Sequence, residues 1–326
     1  MSEQPKEQTS TTAENQLEEN TKKHPLENSE DGGKNKLTRR EENLSRSIFT
    51  IKQRKCTNGS DVGIMWDLTA TYLRGFDGEG VTFKLEEKDG HDDTSPIIEF
   101  YGSRNFLSKF PTNEITLMGR KVLTSSLVKL NLSCNDITEF PPLKELVNLR
   151  ELMLSNNKIT EMNNPDLQYC KNLRRLDLKI NRINKIQYLP LPEDNATSNK
   201  LEYLSLSSNQ ISEIPEEEIR KCGNIKHLGF YGNLITTPLE TLLDFISQFC
   251  QQSLSELWLQ SNPITPVDSV IADENVIGCH SRFANPERVQ QRVDEMTLVH
   301  LKLPSLCYYN GQYLVNKSPS STTSQN

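Results

Sequence analysis

The stretch LVKLNLSCNDI, residues 127–137, decides the fold because its apolar residues keep an uneven rhythm. Its leucines and the final isoleucine stand three, two and five positions apart, and Asn135 lies inside the last gap. An amphipathic helix repeats its apolar residues every three or four positions, whereas a strand alternates them every two. The rhythm therefore indicates a short strand that is followed at once by a sharp turn.

The same frame recurs along the chain. The further copies are NLRELMLSNNKI (148–159), NLRRLDLKINRI (172–183), KLEYLSLSSNQI (200–211), NIKHLGFYGNLI (224–235) and SLSELWLQSNPI (253–264). The asparagines of the frame are Asn135, Asn157, Asn181, Asn209, Asn233 and Asn262, separated by 22 to 29 residues. A repeat of this length predicts stacked coils, because one coil cannot bury its apolar face alone.

The frame LxxLxLxxNxI is the signature of the leucine-rich-repeat family, and this chain resembles that family over roughly half of its length. The resemblance implies an α/β solenoid with a curved parallel sheet and a helical or irregular convex side. The ending LPSLCYYNG (303–311) resembles the LPxLxxLDG cap motif of intracellular members, such as the regulatory subunit of type 1 protein phosphatase and axonemal proteins. Tyr309 and Asn310 replace the usual leucine and aspartate of that motif.

The asparagine of each repeat is predicted to form a structural ladder inside the turns. A short amide can donate to and accept from the backbones of its own coil and of the neighbouring coil. A leucine in its place would fill space but leave buried backbone groups unpaired, at about 1–3 kcal/mol each.

The sequence divides into five regions. They are a disordered tail at 1–46, an N-terminal capping region at 47–94, repeats at 95–264, a C-terminal cap at 265–313 and a disordered tail at 314–326. The repeats comprise six good copies and one degenerate copy, in which Asn105 keeps the frame but Gly102 replaces an inward leucine. Two helices are predicted, one from a capping box formed by Thr237 and Glu240, and one that begins at Asn285 and Pro286 and turns Val289, Val293 and Met296 to the core.

Composition limits the function classes. The 326-residue chain carries a formal charge of -7, which disfavours a dedicated binder of nucleic acid. Its seven cysteines form no CxxC pair, and no stretch is apolar enough for a leader or a membrane span. We therefore expect a cytoplasmic protein, with cilium and nucleus as alternatives, which is monomeric on its own and needs no membrane, metal or cofactor.

The outward strand positions should form the concave surface, where this architecture usually binds protein partners. The predicted partner-binding residues are Tyr203, His227, Tyr231, Trp258, Met153, Arg175, Asp177 and Lys179. Exposed tyrosine and tryptophan are typical of binding hot spots. The alternative is that these aromatic side chains cover strand edges and lie under the C-terminal cap.

A basic cluster surrounds the third repeat and consists of Arg174, Arg175, Lys179, Arg182 and Lys185. A solvated surface with local ion pairs and a contact with an acidic partner protein both fit this pattern. RNA binding is the alternative function, by analogy with the nuclear mRNA export receptor, but Asp177 lies among the basic residues and disfavours it.

Catalytic motifs are not found in the sequence. His227 is interpreted as an ordinary surface histidine without an obvious acid in its row, and Cys170, Cys222 and Cys250 as small buried residues. We therefore predict a non-enzymatic adaptor that binds a folded protein on its concave face. The resemblance adds a phosphatase-regulatory or cilium-associated role as an expectation.

Overall fold

The computed structural model describes residues 48–58, 60–74, 82–86, 96–110, 114–117, 120–264 and 286–314. Side-chain surroundings are described for most of these residues, but not for Val289 and Val293. The two predicted tails lie outside the described residues, apart from Leu314, and so do residues 265–285 of the predicted C-terminal cap.

One sheet of twelve strands forms the body of the described chain. In chain order its strands are β1 (Ile48–Asn58), β2 (Asp61–Asp67), β3 (Thr82–Glu86), β4 (Ile97–Tyr101), β7 (Lys129–Asn131), β8 (Glu151–Met153), β9 (Arg175–Asp177), β10 (Tyr203–Ser205), β11 (His227–Gly229), β12 (Glu256–Trp258), β13 (Tyr308–Tyr309) and β14 (Gln312–Tyr313). A separate hairpin pairs β5 (Glu114–Leu117) with β6 (Arg120–Leu123).

The sheet order is β14-β13-β12-β11-β10-β9-β8-β7-β4-β2-β1-β3. All pairs from β2 to β13 are parallel, and the pairs β1–β2 and β13–β14 are antiparallel. Each repeat therefore adds one short strand to its predecessor. This arrangement confirms the predicted α/β fold class.

The returns between strands hold helices of unequal length. They are 3-10 helices at Thr124–Ser126 and Pro165–Tyr169, and α-helices α1 (Glu216–Ile219), α2 (Leu239–Cys250) and α3 (Pro286–Lys302). Leu242, Leu243 and Ile246 of α2 are buried, as the helical spacing predicts. Within the described residues, no helix combines the length and apolar character needed to cross a membrane.

The predicted capping box at the start of α2 is wrong. Pro238 occupies the N-cap, and no side chain makes a capping hydrogen bond there. Because Thr237 then precedes the N-cap and Glu240 falls at the second helical position, neither residue stands where a capping box requires it. In α3, Met296 packs partly buried against the core and Val299 is fully buried, while the Val289 and Val293 side chains lie outside the description.

The ladder asparagines hold neighbouring coils together. The Asn157 Oδ1 accepts from the backbone N–H of Ile137, 3.0 Å away in the preceding coil. Its Nδ2 donates to the carbonyls of Leu132 and Leu154, each at 3.0 Å. The same pattern recurs at Asn135, Asn181, Asn209, Asn233 and Asn262. Asn105 repeats it in the degenerate copy, where its Oδ1 accepts from the Leu73 N–H.

The N-terminal strands extend the sheet beyond the repeats. Trp66 of β2 is fully buried and donates to the Gln53 Oε1 of β1 at 3.0 Å. Gly63 lies so close to the next strand that a Cβ atom there would stand 2.6 Å from the Pro96 carbonyl oxygen. Arg150 ties this region to the repeats, since its guanidinium donates to the Asn58 carbonyl and pairs with Asp61, both at 2.7 Å.

Candidate functional site

The strand positions that alternate with the inward leucines form a surface that we call the sheet face. On β9 to β12 its residues, strand by strand and continuing just beyond each strand, are Arg175, Asp177, Lys179; Tyr203, Ser205, Ser207; His227, Gly229, Tyr231; and Glu256, Trp258, Gln260. The parallel register places Arg175 beside Tyr203, Tyr203 beside His227 and His227 beside Glu256. This is the face that the sequence predicts to be concave.

Four side chains in one row form a continuous stack. The Arg175 guanidinium carbon lies 3.6 Å from the centre of the Tyr203 ring. The Tyr203 and His227 rings are 4.2 Å apart and within 9° of parallel. The His227 Nδ1 lies 2.7 Å from the Glu256 Oε2. We call Arg175, Tyr203, His227 and Glu256 the stack, in which each side chain contacts the next along the row.

The interpretation of His227 as an ordinary surface residue without a partner acid is wrong. Its side chain is only 18% exposed, and Glu256 is its register partner on β12. Burial lowers the pKa of His227 and outweighs the opposing effect of the Glu256 carboxylate. The imidazole is therefore neutral near pH 7. Because a carboxylate only accepts, the proton lies on Nδ1 and the Nε2 carries a lone pair.

We expect His227 to titrate below the ordinary histidine range in an NMR pH titration of its ring protons. Replacing Glu256 with glutamine should lower the pKa of His227 further, because the carboxylate is the largest group that favours the charged ring. Folding then disfavours protonation of His227, so acid should destabilise the native state as the pH falls through the histidine range. A pKa that rises in Glu256→Gln would contradict this account.

Ser205, Gly229 and Trp258 form the row of the sheet face next to the stack. Gly229 on β11 is the register partner of Ser205 on β10 and of Trp258 on β12. A Cβ atom on Gly229 would stand 3.0 Å from the Ser207 Oγ, 3.3 Å from the Ser205 Oγ and 3.4 Å from the His227 Nε2. The neighbouring polar atoms therefore leave no ready room for a side chain at position 229, and glycine is the residue that fits this close approach.

The aromatic residues Tyr231 and Trp258 of the sheet face differ in exposure. Tyr231 is 40% exposed, whereas Trp258 is only partly exposed. The far edge of the Trp258 indole packs on Gly311, where a Cβ atom would stand 3.1 Å from the ring. Within the described residues, the buried Trp258 Nε1 has no hydrogen-bond partner. The C-terminal strands therefore fix the indole, while the phenol of Tyr231 stays open to solvent.

The predicted basic cluster divides between two surfaces. Arg174 and Lys226 hold Glu202 at 3.3 and 2.7 Å on the rim of the sheet face. Arg175 and Lys179 approach the buried Asp177 carboxylate only to 3.8 and 4.0 Å.

Two members of the predicted cluster are exposed beyond the strand. Arg182 lines a shallow cavity of about 420 Å³ beside Asn156 and Lys158, at the turns that hold the ladder. Lys185 is exposed in the segment that follows Arg182. On β9 to β12 the cationic groups at the sheet face are therefore those near β9 together with Lys226.

Met153, the remaining predicted partner-binding residue, is half-buried on β8 as the register neighbour of Asp177.

The cysteines that precede three repeats lie in the core. Cys170, Cys222 and Cys250 are each at most 1% exposed. Burial raises the pKa of each thiol to about 12. These thiols stay protonated near neutral pH, so they act as small packing residues and not as nucleophiles.

Family models match the repeats. Residues 125–183 match a model described as Leucine rich repeat, and residues 200–222 match a second model of the same description. Among curated proteins, Podocan of Mus musculus is 30% identical over 135 residues, which is 40% of this chain and 20% of Podocan. Nephrocan of Mus musculus is 30% identical over 157 residues, which is 48% of this chain and 28% of Nephrocan. The chain thus matches about a quarter of the length of these relatives.

Solved structures with a similar fold include two internalins of Listeria monocytogenes. The internalin inlF is 22% identical with a TM-score of 0.38, over 59% of this chain and 52% of the internalin. Internalin C2 is 17% identical with a TM-score of 0.42, over 64% of this chain and 76% of the internalin.

Proposed function

We propose that this chain, whose fold is an α/β leucine-rich-repeat solenoid, is a non-enzymatic scaffold that binds a folded protein on its concave sheet face. The stack is the observation that carries the proposal. Arginine, tyrosine and histidine side chains normally lose rotamer freedom when a partner binds. In the stack, mutual contacts already restrict them, so less of the binding energy is lost to ordering.

The residue types of the sheet face support the same function. Tyrosine, tryptophan and arginine are the residues most enriched in binding hot spots, and Tyr203, Tyr231, Trp258 and Arg175 stand on neighbouring strands. Tyr231 has the highest fractional exposure of the three aromatic residues. A partner that covers this region would bury aromatic area around an ordered centre.

The charged residues near β9 indicate which kind of partner would bind. Arg174, Arg175, Lys179 and Lys226 lie around the acidic groups Glu202 and Asp177. A third acid, Glu151 beside Arg175, is neutralised by Lys129 at 2.9 Å. The rim near β9 therefore carries an excess of positive charge in a chain whose formal charge is -7. Complementary potentials favour a partner with an acidic patch at this position. The interspersed carboxylates favour a protein over RNA, which would need an uninterrupted basic surface.

The cap motif at 303–311 supports a finer proposal, in which the chain is a phosphatase-regulatory or cilium-associated scaffold in the cytoplasm. Buried, protonated thiols are compatible with a reducing compartment. Imaging of a fluorescently tagged chain tests the location. A signal confined to the secretory route would overturn the cytoplasmic proposal.

Tyr231→Ala is expected to weaken capture of the concave-face partner by about tenfold or more, because the phenol is an exposed aromatic in the centre of the surface. Tyr169→Ala is the matched control, since Tyr169 is 58% exposed but lies on the 3-10 helix Pro165–Tyr169. Partners captured by wild type should survive Tyr169→Ala and disappear with Tyr231→Ala in quantitative mass spectrometry. Equal capture by both variants, with both folded, would place the binding surface elsewhere.

A further inference from the structure

We propose that the shallow cavity beside Lys158 and Arg182 is a second binding site, which takes an extended acidic peptide segment of a partner protein. We call this cavity the turn cavity. Its lining residues belong to the turns that hold the ladder, whereas the stack lies on the strands. The site is therefore separate from the sheet face. Three features support it: the register of the turns, an arginine without an acidic partner, and exposed aromatic rings at one end.

The turns of neighbouring coils stack in register. The residue after each ladder asparagine donates its backbone N–H to a carbonyl of the preceding coil. These bonds run from Phe106 to Leu73, from Asp136 to Leu107, from Lys158 to Ile137 and from Arg182 to Ile159, with lengths of 2.8 to 2.9 Å. The row from Phe106 to Arg182 therefore crosses three coil spacings, or about 14 Å at about 4.8 Å each.

The turn cavity lies along this row. Its volume is about 420 Å³, and the lining includes all four residues of the row. The buried part of the lining consists of the ladder residues Asn105, Asn135 and Asn157, whose amides already bond to backbone groups of the coils. A ligand can cover these amides without leaving them unpaired, so the charged and aromatic side chains of the row decide what binds.

The charged residues of the turn cavity lack one acidic group. Lys158 pairs with Asp136 at 2.6 Å. Arg182 is exposed and, among the residues that the structure describes, has no carboxylate within salt-bridge distance. A carboxylate from a ligand could pair with the Arg182 guanidinium and lie beside the Lys158 ammonium. Hydrogen bonds between such ionised groups are stronger than those between neutral groups.

An aromatic pair marks the other end of the row. Phe106 is 47% exposed, Tyr72 is 67% exposed, and their stacked rings are 6.1 Å apart. In an extended peptide the first and fifth side chains point the same way and lie about 13 Å apart. This separation matches the distance from Phe106 to Arg182. The preferred segment therefore has an apolar residue followed, four positions later, by aspartate or glutamate.

A basic peptide and RNA are the competing ligands. Asp136 could attract a basic side chain, but Lys158 already neutralises it. Glu139 and Glu161 are exposed farther along the same coils, outside the lining of the cavity. RNA would bring a phosphate to each coil, and Asp136 would repel the phosphate beside it. The lining therefore favours a ligand with a single carboxylate near Arg182.

Cys134 lines the turn cavity and can report whether it is occupied. Its thiol is half-buried, as is that of Cys307 next to β13, which serves as the internal control. The probe is the peptide acetyl-Leu-Ser-Ser-Ser-Glu-amide, and mass spectrometry follows alkylation of each thiol by iodoacetamide. The probe should slow alkylation at Cys134 and leave Cys307 unchanged. The same peptide with glutamine in place of glutamate should bind about threefold to fivefold more weakly.

Three results with the wild-type protein would overturn the proposal. They are equal protection of Cys134 by the glutamate and glutamine peptides, equal protection of Cys134 and Cys307, and stronger protection of Cys134 by an oligouridine RNA than by the glutamate peptide.

Arg182→Gln should remove the preference for the glutamate peptide, because the guanidinium is the group that the carboxylate would meet. Lys185→Gln is the matched control, since Lys185 is exposed three residues later and lies outside the lining. Phe106→Ser should instead weaken both peptides to the same extent. Circular dichroism checks that each variant is folded. An unchanged preference in folded Arg182→Gln, or equal losses in Arg182→Gln and Lys185→Gln, would overturn the assignment.

Tyr231→Ala distinguishes the turn cavity from the sheet face. This variant tests the scaffold proposal, and it should leave protection of Cys134 by the glutamate peptide unchanged. Peptide binding that survives Tyr231→Ala but not Arg182→Gln would support a second site, whether or not the sheet face binds its partner. Loss of peptide binding in folded Tyr231→Ala would overturn the separation of the two sites.

Discussion

Asn157→Leu is expected to lower the free energy of unfolding by about 2–5 kcal/mol. Asn157 is 8% exposed, and its amide bonds to backbone groups of two coils. The Ile137 N–H would lose its acceptor, while the Leu132 and Leu154 carbonyls would each lose one of two donors. Each of these carbonyls also accepts from a second ladder asparagine, Asn135 or Asn181.

Because single carbonyls accept from two ladder asparagines, the ladder couples the stability of neighbouring coils. Each interior amide satisfies a carbonyl of the preceding coil and a carbonyl of its own coil. Removing one amide therefore weakens the interface between two coils and leaves one buried N–H without a partner. In a stack whose stability is a sum over repeats and their interfaces, such a loss should broaden or split the unfolding transition.

The matched control is Asn148→Leu. Asn148 is exposed, and its amide donates to the Ser125 carbonyl at the surface, 2.9 Å away. Loss of an exposed bond should change stability by about 0.5 kcal/mol or less. Urea unfolding followed by circular dichroism measures both variants. Similar midpoints for the two would mean that the ladder bonds contribute no more than ordinary surface contacts.

The strands and the ladder follow from the sequence because local rules determine them. The LxL pair points inward by simple alternation, and the asparagine recurs at a fixed distance from it. The row containing His227 and Glu256 follows from the same frame, but the hydrogen bond between these side chains joins residues 29 positions apart. Whether two neighbouring side chains in a row touch depends on their rotamers and burial, and the spacing of residues in the sequence determines neither.

The extent and pairing of the N-terminal strand β1 could not be predicted from the sequence. Its eleven residues, IFTIKQRKCTN, lack a clean alternation of apolar and polar side chains. The strand forms through antiparallel pairing with β2 and parallel pairing with β3. Long-range pairing of this kind overrides weak local preference, so neither its extent nor its partners can be read from the sequence.

Asn310 stands where the cap motif LPxLxxLDG has aspartate, and its side chain still makes hydrogen bonds to the last repeat. Its side-chain oxygen accepts from the backbone N–H groups of Leu259 at 2.7 Å and Gln260 at 2.9 Å. The neighbouring Tyr309 is 1% exposed and donates to the Glu295 Oε1 at 2.7 Å. The tyrosine therefore joins β13 to α3 through a polar contact that a leucine at this position could not make. Together with the Asn310 bonds, this contact fixes the C-terminal strands beside Trp258.

Gly311→Ala should consequently displace Trp258 of the sheet face from a position outside that face, at a cost of about 2–4 kcal/mol in unfolding free energy. Gly311 has φ +77°, where an alanine is strained, and the new Cβ atom would stand 3.1 and 3.2 Å from the Trp258 ring. The ring or the turn must move, because both distances are shorter than an ordinary contact. The Trp258 indole NMR signal should shift.

Gly232→Ala separates backbone strain from displacement of the ring. Gly232 has φ +64°, but the nearest atom to its added Cβ would be 3.5 Å away, which is an ordinary contact. This variant should lose about 1–2 kcal/mol from the left-handed backbone alone and leave the Trp258 signal in place. If both alanines have the same effect on stability and on Trp258, then the C-terminal strands do not position the indole. A larger loss in Gly311→Ala with a displaced Trp258 signal would instead show that the C-terminal strands determine the position of Trp258 on the sheet face.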